Sequence, residues 1–186
     1  MLNLPNILAS FRVALAPLFF WLILLAGHAN GGMVGSVHVS WIDYFAALVF
    51  VIASVTDFFD GYIARSWNQK TKLGAIIDPL ADKMLTLAGF LGLMFIGRAS
   101  PWAIYLILIR EFFITGLRVA MAGDGVEVAA SMAGKVKTVF QMIAIGWLTM
   151  QWPYANALLW IAVALTLYSG FEYVNAYVRH VKNQAK

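Results

Sequence analysis

The sequence predicts an all-α, polytopic membrane protein with six transmembrane helices and a short amino-terminal interfacial helix. Three observations predict it. Of 186 residues, 62% are hydrophobic and only 12% charged, a balance that a soluble domain does not need and a bilayer-embedded chain does. Apolar runs long enough to cross hydrocarbon recur along the whole chain, separated by short polar or Gly/Pro stretches. Acids are few, and four of them fall within or against two of those runs.

In order, residues 1–9 are mildly amphipathic, with Asn3, Pro5 and Asn6, and suit a short helix lying along the interface. Residues 10–27 form the first span. Its Arg12 and the following Gly27-His28-Ala29 loosely mimic a cleaved signal peptide, but the run is long enough to cross and further spans follow. Residues 28–40 are Gly-rich, hold no Lys or Arg, and read as an external loop; His28 and His38 belong to it rather than to a metal site. The second span covers 41–65, with Trp41 and Tyr44 as interfacial aromatics, and the third covers 73–97. Arg98 to Pro101 make a tight turn. Spans at 101–121, 131–150 and 154–177 complete the set, with a turn at Gln151-Trp152-Pro153. The length fits one membrane-embedded domain over 1–186. With no Cys, thiolate metal sites and disulfides are excluded.

The basic residues set the orientation. With a cytoplasmic amino terminus, Arg65, Lys70, Lys72, Arg118, Lys135, Lys137, Arg179, Lys182 and Lys186 fall at or near the cytoplasmic face, and Arg12 and Lys83 lie toward it. Only Arg98 falls at an external loop, while Arg110 lies inside a span. The net charge of +4 sits at span ends, which suits anionic head groups and phosphate substrates, not nucleic acid.

The chemistry concentrates between Asp57 and Asp82. Asp57 and Asp60 are three apart, and Asp78 and Asp82 four apart, so on helices each pair shares a face. Four close carboxylates repel one another, and hard divalent cations relieve that. Gly61 and Ala64 leave room beside the first pair, and Arg65 offers a planar fork to a phosphate. Further along, Arg110 and Glu111 lie deep in the fourth span and need partners. Arg118 follows two turns after Arg110, and Gly134-Lys135-Val136-Lys137-Thr138 opens the fifth span. These cations can form a phosphate pocket; equally, Lys135 and Lys137 can snorkel to head groups while Arg110 pairs with Glu111.

The spacing Asp-x2-Asp-Gly-x2-Ala-Arg-x8-Gly-x3-Asp-x3-Asp, met at Asp57, Asp60, Gly61, Ala64, Arg65, Gly74, Asp78 and Asp82, resembles the signature of the CDP-alcohol phosphatidyltransferases. Asn3-Leu-Pro5-Asn6 with Arg12, Arg-Glu-Phe-x3-Gly-Leu-Arg from Arg110, and Gly-Lys-x-Lys-Thr from Gly134 look like blocks of the bacterial phosphatidylglycerophosphate synthases in that family. The resemblance departs at Ala9, where Thr is expected, with Ser10 the nearest replacement hydroxyl. It implies transfer of a phosphatidyl group from CDP-diacylglycerol to sn-glycerol 3-phosphate, releasing CMP, at the cytoplasmic side of the cell membrane. It further implies two Mg²⁺ (or Mn²⁺) on Asp57, Asp60, Asp78 and Asp82, with Asp82 also the base for the acceptor hydroxyl. Asp57, Gly61, Ala64, Arg65 and Gly74 would contact the nucleotide lipid. Arg110, Arg118, Lys135 and Lys137 would bind the acceptor phosphate, in a homodimer. Two alternatives stand beside this: the same chemistry on an inositol phosphate or phosphatidylglycerol, and a cation transporter with an intramembrane acidic site. The transporter explains the acids but not Gly61, Ala64, Arg65 and Gly74.

Overall fold

The computed structural model describes residues 4–28, 33–34, 37–66, 74–123 and 132–184, and the side chains of 8–27, 41–56, 83–121 and 132–179. Among them are six helices: α1 Leu4–His28, α2 Val39–Ser66, α3 Gly74–Phe95, α4 Pro101–Gly123, α5 Met132–Thr149 and α6 Ala155–Gln184. They follow the six apolar runs in order. The stretches Leu8–Gly27 and Ala155–Arg179 are each long and apolar enough to cross a membrane.

Two details differ from expectation. The amino-terminal helix is not separate, because α1 runs unbroken from Leu4. Pro5 falls in its first turn, where the missing N–H has no intrahelical partner to lose. Within the Gly-rich stretch, β1 (Met33–Val34) pairs antiparallel with β2 (Val37–His38), Met33 opposite His38.

The chain divides into two compact units. One comprises Met1–Ala99 and Ile145–Pro153, the other Ser100–Ala144 and Tyr154–Lys186.

In the first unit, α1 packs on both α2 and α3. Its buried residues are Ala9, Arg12, Ala16, Phe19, Ile23 and Ala26. The alternating spacing of three and four is the seam of a left-handed helix pair. Alanine at half of those positions lets the neighbours come close, which substitutes for the hydrophobic driving force that is missing in lipid. The approach is closest at Gly27, where an added Cβ would lie 2.2 Å from Ile96 Cγ2. Phe19 stacks at a tilt on Phe50 of α2, centroids 5.1 Å apart.

Helix α3 stops in a Schellman turn. Arg98 N–H donates to Leu93 O at 2.8 Å and Gly97 N–H to Met94 O at 3.1 Å. Gly97 takes the left-handed conformation this closure needs, φ 76°. Pro101 then opens α4 at the first helical position. Helix α5 ends the same way, with Trp152 N–H to Trp147 O at 3.1 Å and Gln151 N–H to Leu148 O at 3.3 Å. Here the left-handed residue is Gln151, φ 53°, a conformation that costs a side-chain-bearing residue about 1–2 kcal/mol.

A buried acid links these two turns. Asp43, near the start of α2, accepts from Arg98 Nη1 at 2.7 Å and from Nη2 at 3.3 Å. Arg98 Nη1 also donates to Thr149 O at 2.8 Å, and Gln151 Nε2 to Asp43 Oδ2 at 3.3 Å. The bond from Gln151 helps offset its backbone strain. One carboxylate thereby joins α2 to the ends of α3 and α5.

In the second unit, Ile114 and Met121 of α4 pack with Tyr173 of α6, flanked by Leu117, Val174 and Tyr177. Buried Gln141 Nε2 of α5 donates to Thr166 Oγ1 of α6 at 2.9 Å, and that hydroxyl donates to Ala162 O at 2.6 Å, so both side chains are hydrogen-bonded. Large apolar side chains face outward, including Trp102 at 72% and Phe112 at 66% exposure, more apolar surface than a chain in water ordinarily leaves uncovered.

Removing one member of the buried Asp43–Arg98 pair leaves a charge without compensation, at a cost of about 3–5 kcal/mol. Asp43→Ala is therefore expected to lower the thermal unfolding midpoint of the detergent-solubilised protein by several degrees. Adding Arg98→Met should recover part of the loss. An unchanged midpoint in Asp43→Ala would remove the pair from the account of stability.

Candidate active site

The acidic motif falls on two helix ends. Asp57, Asp60, Gly61, Ala64 and Arg65 occupy the last turns of α2, and Gly74, Asp78 and Asp82 the first turns of α3. In helical register, Asp57, Asp60, Gly61 and Ala64 stand at i, i+3, i+4 and i+7, one face of α2. Gly74, Asp78 and Asp82 stand at i, i+4 and i+8, one row along α3. The helix continues past Pro79, which is neither a first-turn residue nor a stop. The side chains of these eight residues lie outside the described set, so the expected cation cage and nucleotide contacts rest on register and chemistry. A set of four carboxylates fits hard cations bound through oxygen. Just before the acids, Ser54 donates to Phe50 O at 2.8 Å and Thr56 to Ile52 O at 2.6 Å, so both hydroxyl protons are committed to the helix itself.

At the amino-terminal block, Ala9 is wholly buried and Ser10 exposed. One residue is about 100° of helical rotation, so Ser10 does not take over the position of the missing Thr hydroxyl.

The cationic group lies within the second unit. Arg110 Nη1 donates to Glu111 Oε1 at 3.0 Å, and Arg110 Nη2 to Ser169 Oγ of α6 at 2.6 Å. Lys137 of α5 donates to the same oxygen, Glu111 Oε1. The Arg110 and Lys137 side chains are only 10% and 9% exposed. Arg110 does pair with Glu111, yet Lys137 is drawn inward instead of snorkelling. Arg118 and Lys135 are exposed, and the described hydrogen bonds do not join them to the buried group.

The convergence is the informative feature: two buried cations, Arg110 and Lys137, meet at one carboxylate oxygen of Glu111. Sequence reasoning missed Ser169 and Gly170. The only signal available was a Ser-Gly pair of small residues within an apolar helix, a pattern that marks close helix approach.

A family model for CDP-alcohol phosphatidyltransferase matches residues 2–168. The chain belongs to the CDP-alcohol phosphatidyltransferase family. Among its curated relatives, the CDP-diacylglycerol–glycerol-3-phosphate 3-phosphatidyltransferase of Bacillus subtilis (strain 168) is 42% identical over 182 residues, covering 93% of this chain and 94% of that protein. The protein of the same name from Escherichia coli (strain K12) is 39% identical over 185 residues, covering 94% of each. The family match spans residues drawn from both compact units, and both charged constellations fall inside it.

The shared carboxylate makes an anion-dependent prediction. Glu111→Gln removes the carboxylate on which Arg110 and Lys137 converge and should destabilise the protein by about 3–5 kcal/mol. Sulfate or phosphate should then raise its melting midpoint more than that of the unaltered protein. Equal anion effects on both would argue against an anion site at this group.

Proposed function

We propose that this family member transfers the phosphatidyl group of CDP-diacylglycerol to sn-glycerol 3-phosphate, giving phosphatidylglycerophosphate and CMP. The observation that carries the acceptor is the convergence of two buried cations, Arg110 and Lys137, on Glu111. A phosphate-bearing acceptor suits such a cationic group better than plain glycerol does. The names of the relatives carry the same acceptor.

The acidic motif supplies the reaction class. Members of the family are generally metal-dependent, and two divalent cations, Mg²⁺ or Mn²⁺, would neutralise the diphosphate and the departing CMP. Asp57, Asp60, Asp78 and Asp82 would hold them. Gly61, Ala64 and Gly74 would let the cytidine nucleotide lie close against the helices, with Asp57 beside it, and Arg65 would steady a phosphate. Asp82 would take the proton from the acceptor's primary hydroxyl as that oxygen attacks the phosphorus of the phosphatidyl group. The proton passes to the carboxylate, and the bond to CMP breaks. Arg110, Arg118, Lys135 and Lys137 would recruit and orient the acceptor through its phosphate.

The family match over 2–168 supports one catalytic domain. The distribution of Lys and Arg supports six spans in the cytoplasmic membrane with the motif facing the cytoplasm. Pairing of two copies belongs to the same proposal.

The deciding experiment is CMP release with CDP-diacylglycerol and a panel of acceptors. Glycerol 3-phosphate should be used well, and glycerol, inositol phosphate and phosphatidylglycerol poorly. EDTA should abolish turnover, and Mg²⁺ or Mn²⁺ should restore it. Preference for another acceptor, or full turnover in chelated buffer, would overturn the corresponding part. CDP-lipid-independent cation uptake into proteoliposomes would favour a transporter.

Asp82→Asn keeps the shape and one ligand oxygen but loses the base. Its kcat should fall by about two orders of magnitude or more, with CDP-diacylglycerol still bound in the presence of metal. Asp57→Asn should instead weaken that binding. Calorimetry beside CMP release separates the two roles, and near-normal kcat in Asp82→Asn would refute the base.

A further inference from the structure

We propose that α6 provides two positioning residues, Ser169 and Gly170, which fix Arg110 for acceptor recognition. This rests on the reading of the Arg110 group as the acceptor-phosphate site. The two residues act by different means. Ser169 is 1% exposed, and its Oγ takes the 2.6 Å hydrogen bond from Arg110 Nη2. Gly170, next along α6, faces the stem of the same side chain. A Cβ there would lie 3.1 Å from Arg110 Cγ and 3.2 Å from Nε. Arg110 has little freedom to yield, because Glu111 holds Nη1 at 3.0 Å while Ser169 holds Nη2. A methyl group at Gly170 would therefore require Arg110 to give by a few tenths of an ångström against both of these bonds.

The arrangement suits a binding residue more than a strut. A guanidinium has five N–H donors. Arg110 Nε, pressed against Gly170, has no acceptor among the described residues. The bonds to Glu111 and Ser169 use one donor on each Nη, which leaves a second on each. Donors left on a plane fixed from both ends can meet the oxygens of a phosphate. If Arg110 merely neutralised Glu111, Lys137 would already serve, since it donates to the same oxygen. The seryl hydroxyl and the missing Cβ then contribute orientation, not charge.

The test uses full-length protein in detergent with Ser169→Ala, Gly170→Ala, Arg110→Gln and the double variant Ser169→Ala/Arg110→Gln. For each, KM for glycerol 3-phosphate, KM for CDP-diacylglycerol, kcat and the melting midpoint are measured. Both α6 variants should raise the glycerol 3-phosphate KM about five- to tenfold, the scale of one ordinary net hydrogen bond. The KM for CDP-diacylglycerol should stay within about twofold. In the Arg110→Gln background, Ser169→Ala should add nothing further, because its route runs through Arg110. Ser169→Thr, which keeps the hydroxyl, should recover part of the loss. If Arg110→Gln raises the acceptor KM and neither α6 variant does, the positioning role is wrong and the acceptor site stands. If Arg110→Gln itself leaves that KM unchanged, the site assignment falls, and this proposal with it. A matched fall in melting midpoint and kcat, with both KM values moved alike, would make Ser169 and Gly170 packing residues only. Should one α6 variant fail to fold, the other carries the same reading.

Discussion

A buried charge must be matched, and this chain groups its buried charges in different ways. Arg98 and Asp43 pair one to one, with Thr149 O and Gln151 Nε2 completing the set, and the group joins helix ends. Arg110 and Lys137 instead converge on a single carboxylate, Glu111. Across the ends of α2 and α3, four aspartates fall within 26 positions, from 57 to 82. A one-to-one pair is sufficient for structure. Several like charges gathered in one place cost stability unless something of opposite charge is near, which is the ground for reading such groups as suited to ligands.

This distinction also explains what the sequence could reveal. The acidic motif is local: its spacing fits a helical face, and α2 and α3 do carry it at their ends. Helix positions were legible too, because runs of about 20 apolar residues are a strong signal. The amino-terminal break was misread because Pro5 looks like punctuation, whereas a first-turn proline is compatible with helix. The β1–β2 pairing rests on two residues a side, too short to leave an alternating pattern.

Pairing between distant residues was not legible. Asp43 lies 55 residues from Arg98, and Ser169 lies 59 from Arg110. In a soluble helix the polar face would at least show which side turns outward. Here both faces of the helices are largely apolar, so periodicity carries little direction. What marks the inward face is residue size. Ala9, Ala16 and Ala26 line the buried side of α1, and Gly27 and Gly170 sit where another side chain comes within van der Waals distance. Small residues are as common in loops as in such seams, and they can be interpreted only once the partner helix is known.

Arg98 shows how a contact changes a reading made from charge alone. In the distribution of basic residues it is the exception, the one cation at an external loop. Its fork on Asp43 makes it half of a neutral pair with a side chain 15% exposed. The orienting bias of Lys and Arg reflects cations that must be solvated or meet anionic head groups. A cation satisfied within the fold by a carboxylate and a carbonyl has less need of either. Discounting Arg98 on that ground removes the exception from the orientation expected from the sequence. The same reasoning removes Arg110 and Lys137 from the count, since both are buried against Glu111. What then supports the cytoplasmic placement is the exposed set, Arg118, Lys135 and Arg179 among the described side chains. These are the cations that water or lipid head groups must accommodate.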